Sequence, residues 1–167
     1  LKYHDERCAE IRKSMNYFFD LIEDLPGIKP IRVDESTGSN NAGFYCAAAA
    51  YFPDELHGLP ASEFAKAVNA EIGGGRKWIS YGANYCLHTH EFFKTFDFDN
   101  TGKPSRIANA SRDVRQFDET LKASEEKQCV SAPWFKKFNK EWIEKLAQAF
   151  RNVVENHEQL IVNIDNV

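Results

Sequence analysis

Residues 43–52, GFYCAAAAYF, decide the fold class. The run is continuous and apolar. The polar loop 34–42 (DESTGSNNA) precedes it and Pro53 follows it, which is the length and punctuation of a buried strand. Its four successive alanines let a large neighbour pack close. Outward from this strand, apolar residues fall at helical spacing. Cys8, Ile11, Met15, Phe18, Phe19, Ile22 and Leu25 step by three and four, and Pro26-Gly27 ends the pattern. Asp5, Glu6, Glu10, Arg12 and Lys13 fall mostly off that stripe. Residues 28–33 read as a short extended stretch. Phe64, Val68 and Ile72 mark a second helix over 61–72, stopped by Gly73-Gly74-Gly75. Residues 78–87 read as extended, 117–124 as a short helix, and 128–132 (QCVSA) as another strand, closed by Pro133. Asn139 is placed to cap a last helix over 140–160, with the stripe Trp142, Ile143, Leu146, Phe150, Val153, Val154 and Leu160. Few strands between long helices predict an α+β fold: a small, mainly antiparallel sheet with long helices packed on one face.

Composition narrows the classes. The chain has 167 residues, 43% of them hydrophobic, with 13 Phe, so it buries a core without needing a disulfide or metal. Its net charge of −4 and the lack of a dense basic patch argue against nucleic acid as a partner. No apolar run approaches the roughly 20 residues of a membrane helix. Cys8, Cys46, Cys86 and Cys129 show no CxxC spacing and read as buried thiols in a reducing, cytoplasmic setting. The chain opens on Leu1, its single Met is Met15, and no signal peptide precedes the first helix, so it reads as a piece of a longer protein.

The densest polar-aromatic segment is 81–93, YGANYCLHTHEFF. In an extended chain His88 and His90 share a face, because side chains alternate. Two imidazoles beside Tyr85 suit the wall of a polar pocket, and structural histidines are the plainer alternative. A metal needs further ligands, and Glu91 would face the other way. Gly73-Gly74-Gly75-Arg76 lacks GxxxxGK[ST] and follows a helix, so it reads as a helix stop rather than a phosphate cradle. Residues 97–102, DFDNTG, mimic half an EF-hand loop, but the twelfth position is Ala108, and a turn is the better reading. Ser105, Arg106, Arg112 and Arg115 form a basic stretch that fits a phosphate contact or a solvated loop. No GxSxG and no cysteine nucleophile motif is present, so no catalytic residue is assigned.

LPGI at 25–28 behind an amphipathic helix, NYCLHTHEFF at 84–93, CVSAPWFKKF at 129–138 and a long closing helix occur in this order. Together they resemble the C-terminal domain of the DegT/DnrJ/EryC1/StrS aminotransferases, pyridoxal phosphate enzymes that aminate keto-sugars and cyclitols. The resemblance runs from about Ile11 to Leu160. Cys86 stands where the family has Pro, and the insert at 96–115 and the loop at 34–42 depart from its pattern. The resemblance implies the small domain of a fold-type I pyridoxal phosphate enzyme. Residues 1–25 would be a linker helix from an N-terminal large domain, and 26–167 the C-terminal small domain. The large domain would supply the Schiff-base lysine, the aspartate on the pyridinium nitrogen and the phosphate contacts, leaving no cofactor expected on this chain alone. Lys103, in DNTGKPS, has no matching context.

In the family the His of the "L-H" pair lies near the active-site mouth. Carried over, this makes His88 a substrate contact lining a cleft, with His90 and Tyr85 as neighbours. The implied partners are the large domain, a second copy in a homodimer, and a nucleotide-sugar, keto-sugar or cyclitol substrate, with glutamate or glutamine as amino donor. Two other functions stay open: a non-transaminase relative, either a dehydratase or a regulatory protein, and a stand-alone sugar-binding or interaction module. A His in place of the Schiff-base Lys would mark the dehydratase branch. Separation from a large domain would leave the Phe18/Phe19 side of the first helix exposed, and that side is expected to pair with another chain.

Overall fold

A computed structural model describes residues 2–41, 43–82, 97–103, 105 and 129–164, with residues 162–164 described by backbone alone. The chain divides into two units, residues 1–82 with 129–167, and residues 83–128. The first unit is α+β, with a small three-stranded antiparallel sheet and several helices.

Helix α1 spans His4–Asp20 and buries Met15, Phe18 and Phe19. The sequence pattern runs to Leu25, but the helix stops earlier. Beyond Asp20 the chain tightens into three-residue bonds, Ile22 N–H to the Phe19 carbonyl at 3.1 Å and Leu25 N–H to that of Ile22 at 3.2 Å. Residues three apart stay on one side in either geometry, so Ile22 and Leu25 remain buried. Pro26-Gly27 then reverses the chain. Gly27 has φ +73°, and a Cβ there would lie 2.8 Å from the Leu56 side chain. Both constraints demand glycine. Its N–H donates to Glu55 Oε2 at 2.8 Å, and its carbonyl accepts from Phe52 N–H at 2.9 Å.

Strands β1 (Ile28–Pro30), β2 (Ala48–Tyr51) and β3 (Cys129–Ser131) lie in that order, antiparallel throughout. Ile28 opposes Tyr51, and Ala49 opposes both Pro30 and Val130. Opposed residues share a face, so Ile28, Ala49, Tyr51 and Val130 form the buried side. Helix α2 (Ala61–Ile72) meets that side through Phe64, whose ring centroid is 5.2 Å from that of Tyr51. Burial pushes the Tyr51 hydroxyl far up, and it stays protonated to donate to the Leu59 carbonyl at 2.7 Å. Helix α3 (Lys140–Glu155) is capped by Asn139, whose Oδ1 accepts from Trp142 N–H at 3.1 Å. It buries Ile143, Leu146, Phe150, Val153 and Val154, and it packs on α2 and α1.

Three expectations need correction. The strand predicted over 43–52 forms only at Ala48–Tyr51. Phe44 has φ +50° and its N–H bonds the Asn41 carbonyl at 2.8 Å, which makes a turn, and Tyr45 is fully exposed. The predicted helix over 140–160 breaks at Asn156, whose φ of −113° leaves the helical range before α4 (His157–Ile164) begins. Phe18 and Phe19 are not a bare face. Both are fully buried by residues of the same unit. Phe135 and Phe150 cover Phe18, with centroids 5.5 and 5.4 Å away, while Phe44 and the Arg32 guanidinium cover Phe19. The loop after β1 thus occupies the surface on which a second copy was expected to pair.

Phe150 touches both Phe18 and Phe64, so Phe150→Ala opens a cavity where three helices meet. A loss of about 3–5 kcal/mol is expected from urea unfolding. A loss below about 1 kcal/mol would show that the site collapses or is not core. Glu55 gives a pH-dependent prediction. The Gly27 N–H foremost, and Lys29 beside it, hold its carboxyl below the ordinary glutamate range. A depressed folded value stabilises fully above the unfolded value of about 4.3 and is lost as pH falls through the folded one. Glu55→Gln is therefore expected to flatten the acid side of the melting-temperature profile and to lower it at neutral pH; parallel profiles would remove Glu55 from acid unfolding.

Candidate functional site

The predicted extended segment that starts at Trp78 is followed as far as Gly82. It runs beside β3. Ser131 N–H donates to the Ser80 carbonyl at 2.8 Å, Ser80 N–H to Ser131 Oγ at 2.7 Å, and Gly82 N–H to the Cys129 carbonyl at 2.7 Å. Asn69 of α2 fastens the other side of this stretch. Its Oδ1 accepts from the Trp78 and Ile79 N–H groups, and its Nδ2 donates to the Ala65 and Ile79 carbonyls. All four bonding sites of one amide are used, which makes Asn69 a rigid connector between helix and sheet edge. Tyr85, His88 and His90 lie outside the described residues, as do Cys86, Glu91, Arg106, Arg112 and Arg115. The frame from which their segment departs is described: the chain leaves the sheet edge at Gly82 and rejoins it at Cys129.

In the second unit, Asp97 closes a turn on itself. Its two carboxylate oxygens accept from the Thr101 and Gly102 N–H groups at 2.9 and 2.6 Å, and the Thr101 bond is the chief reason its carboxyl is held low. Ser105 donates to Asp99 Oδ2 and accepts from Phe98 N–H, both at 2.9 Å. Asp97 thus serves the backbone and Asp99 the Ser105 hydroxyl, which is the turn reading of DFDNTG. Of the described cysteines, Cys8, Cys46 and Cys129 are free thiols. Cys46 is exposed and the other two are half-buried, where the sequence suggested burial for all. Burial pushes the Cys129 thiol up, which disfavours the thiolate a nucleophile requires.

A polar cleft that the sequence did not indicate lies between α1 and the loop after β1. Arg12 and Asn16 of α1, Arg32, Glu35, Asn41 and Phe44 line about 190 Å³. The loop is held by its own hydrogen bonds: Asp34 Oδ1 accepts from Ser36 N–H at 2.9 Å, and Gly38 takes φ +79°. Arg32 is fixed by Asp20 and Glu23, at 2.7 and 3.0 Å. Arg12 has no ion pair or hydrogen bond among the described residues. The volume is below the roughly 300 Å³ at which ligand pockets begin. The cleft therefore suits one anionic group, a carboxylate or phosphate, with the rest of any larger ligand lying outside it. DESTGSNNA shows only polarity in the sequence, and the aromatic that anchors it, Phe44, belongs to the adjoining apolar run.

Every described lysine is exposed. Lys29, Lys66 and Lys140 face Glu55, Glu63 and Glu144, and the Glu63 contact at 2.7 Å raises the Lys66 ammonium above its ordinary range. Schiff-base chemistry needs a sheltered amine that is neutral near pH 7. The described residues do not fit pyridoxal phosphate. No family model matches the chain, and no curated protein matches it.

The cleft makes a direct prediction. Millimolar phosphate or sulfate is expected to raise the melting temperature by mass action, and Arg12→Ala to abolish the rise. An equal rise in the variant would remove Arg12 from anion binding.

Proposed function

We propose that this chain is the C-terminal wall domain of a pyridoxal phosphate-dependent aminotransferase of the DegT/DnrJ/EryC1/StrS kind, acting on a keto-sugar or cyclitol. One observation supports the reading: the motifs that fall on described residues occupy elements in the order it implies. LPGI is the turn behind α1, where Gly27 is required by its φ and by Leu56. NYCLHTHEFF lies outside the described residues. CVSAPW forms β3 and its exit, and the amphipathic α3 follows, with α4 behind it.

In this reading the chain holds substrate while a large domain holds the cofactor. His88 is proposed as the substrate contact, flanked by His90 and Tyr85. A homodimer and a cytoplasmic setting belong to the same proposal. No helix among the described residues is long and apolar enough to cross a membrane.

A second reading, a stand-alone module that binds an acidic sugar, has the cleft of Arg12 and Arg32 in its favour. The two separate experimentally. Joined to its large domain, the chain is expected to support amination of a keto-sugar nucleotide by glutamate. There His88→Ala should lower turnover roughly 10- to 100-fold with an unchanged melting temperature, the size of one or two charge-assisted hydrogen bonds. Alone, it is expected to show no borohydride-fixable pyridoxal on any lysine. Unchanged kinetics in His88→Ala would remove that residue from the site. Tight sugar-acid binding by the isolated chain, lost in Arg12→Ala, would favour the module.

A further inference from the structure

His57, His157 and Glu158 come together on the surface, a hundred residues apart in sequence. His57 follows the short 3-10 turn Pro53–Leu56 and takes φ +51°, a conformation His tolerates better than most residues. Leu56 and Leu59 on either side are fully buried, so the loop is pinned while His57 points outward. His157 and Glu158 open α4, just past the break at Asn156. His157 Nε2 lies 3.1 Å from His57 Nδ1, and Glu158 Oε1 lies 3.6 Å from the same nitrogen. The three ligand atoms all fall within 4.8 Å of one another.

The hydrogen bonding fixes which nitrogen of His157 is available. Its Nδ1 is 2.6 Å from the Val154 carbonyl. A carbonyl only accepts, so Nδ1 carries the proton, and Nε2 of the neutral ring presents its lone pair to His57. A histidine whose other N–H is tied to a backbone carbonyl is the usual arrangement of a metal ligand. Without an ion, a single proton bridges the two rings. An ion takes that proton's place once His57 carries its own on the solvent-facing Nε2, with no net proton lost from the neutral rings.

From this geometry we propose that His57, His157 and Glu158 bind a divalent transition-metal ion of the zinc class. Two imidazoles and a carboxylate suit zinc, copper or nickel better than calcium or magnesium. Bonds of zinc length make a tetrahedral edge of about 3.3 Å. The two edges at His57, 3.1 and 3.6 Å, bracket that value, and the His157–Glu158 edge lies within 4.8 Å, so the ion seats once the exposed Glu158 carboxylate adjusts to it. His57 and Glu158 are exposed, which leaves the fourth position to water or an outside ligand. The ion ties the loop before α2 to the corner between α3 and α4.

The test is calorimetric titration of the 167-residue chain with Zn²⁺, with Co²⁺ absorption as a second readout. One equivalent is expected. H57N, in which Asn tolerates the positive φ, and H157Q should each weaken binding more than about tenfold, with unchanged circular dichroism. E158Q gives an independent reading should either variant fail to fold, and it should weaken binding several-fold. H88A/H90A should bind as the parent does. Absent binding, affinity unchanged in H57N and E158Q, loss in H88A/H90A, or a thiolate-to-cobalt band would each overturn the assignment.

Discussion

Phe150 stands edge-on to Phe18 of α1 and to Phe64 of α2, and Phe64 in turn meets Tyr51 of β2. This line of rings joins three helices to the sheet. Each of the two Phe150 contacts adds about 0.5–1.5 kcal/mol beyond the area it buries, because ring edges meet ring faces there. Packing is also directional here. Phe150 contacts Phe18 and Phe64 at once, so a residue that belongs to neither α1 nor α2 links the two helices.

Where local chemistry settled the structure, the sequence was readable. The apolar step of four and the triple glycine placed α2 at Ala61–Ile72, and Asn139 placed the start of α3. The α+β class with a small antiparallel sheet followed from the same pattern. Where a distant partner decided, it was not. Phe44 belongs to a hydrophobic run, yet it turns away to cover Phe19, and that tertiary contact overrides strand propensity. Arg32 gave no sign that its guanidinium would lie over the same ring. The break at Asn156 is equally silent, because the apolar stripe continues across it to Leu160.

The candidate sites divide in the same way. His88 and His90 stood out because two residues of one chemistry sit two apart. His57 and His157 did not, because only the folded loop and the α3–α4 corner bring them within 3.1 Å. Arg12 was read as an off-stripe charge on an amphipathic helix, and it faces the cleft only because a glycine- and asparagine-rich loop closes over α1. Motifs local in sequence favour substrate-contact readings; juxtapositions made by the fold supply the cleft and the imidazole pair.

Gly82 and Cys129 are fastened to each other by one backbone hydrogen bond, with Ser80 and Ser131 bonded beside them. The sheet thus holds both ends of an excursion, whatever chain lies between. Closing such an excursion has an entropic cost that grows only with the logarithm of its length, about 0.6 kcal/mol for each doubling. The core therefore places little constraint on how long that excursion is. A scaffold of this kind favours divergence by cassette: new recognition chemistry can be exchanged between two fixed points while the ring-to-ring core beneath is left untouched.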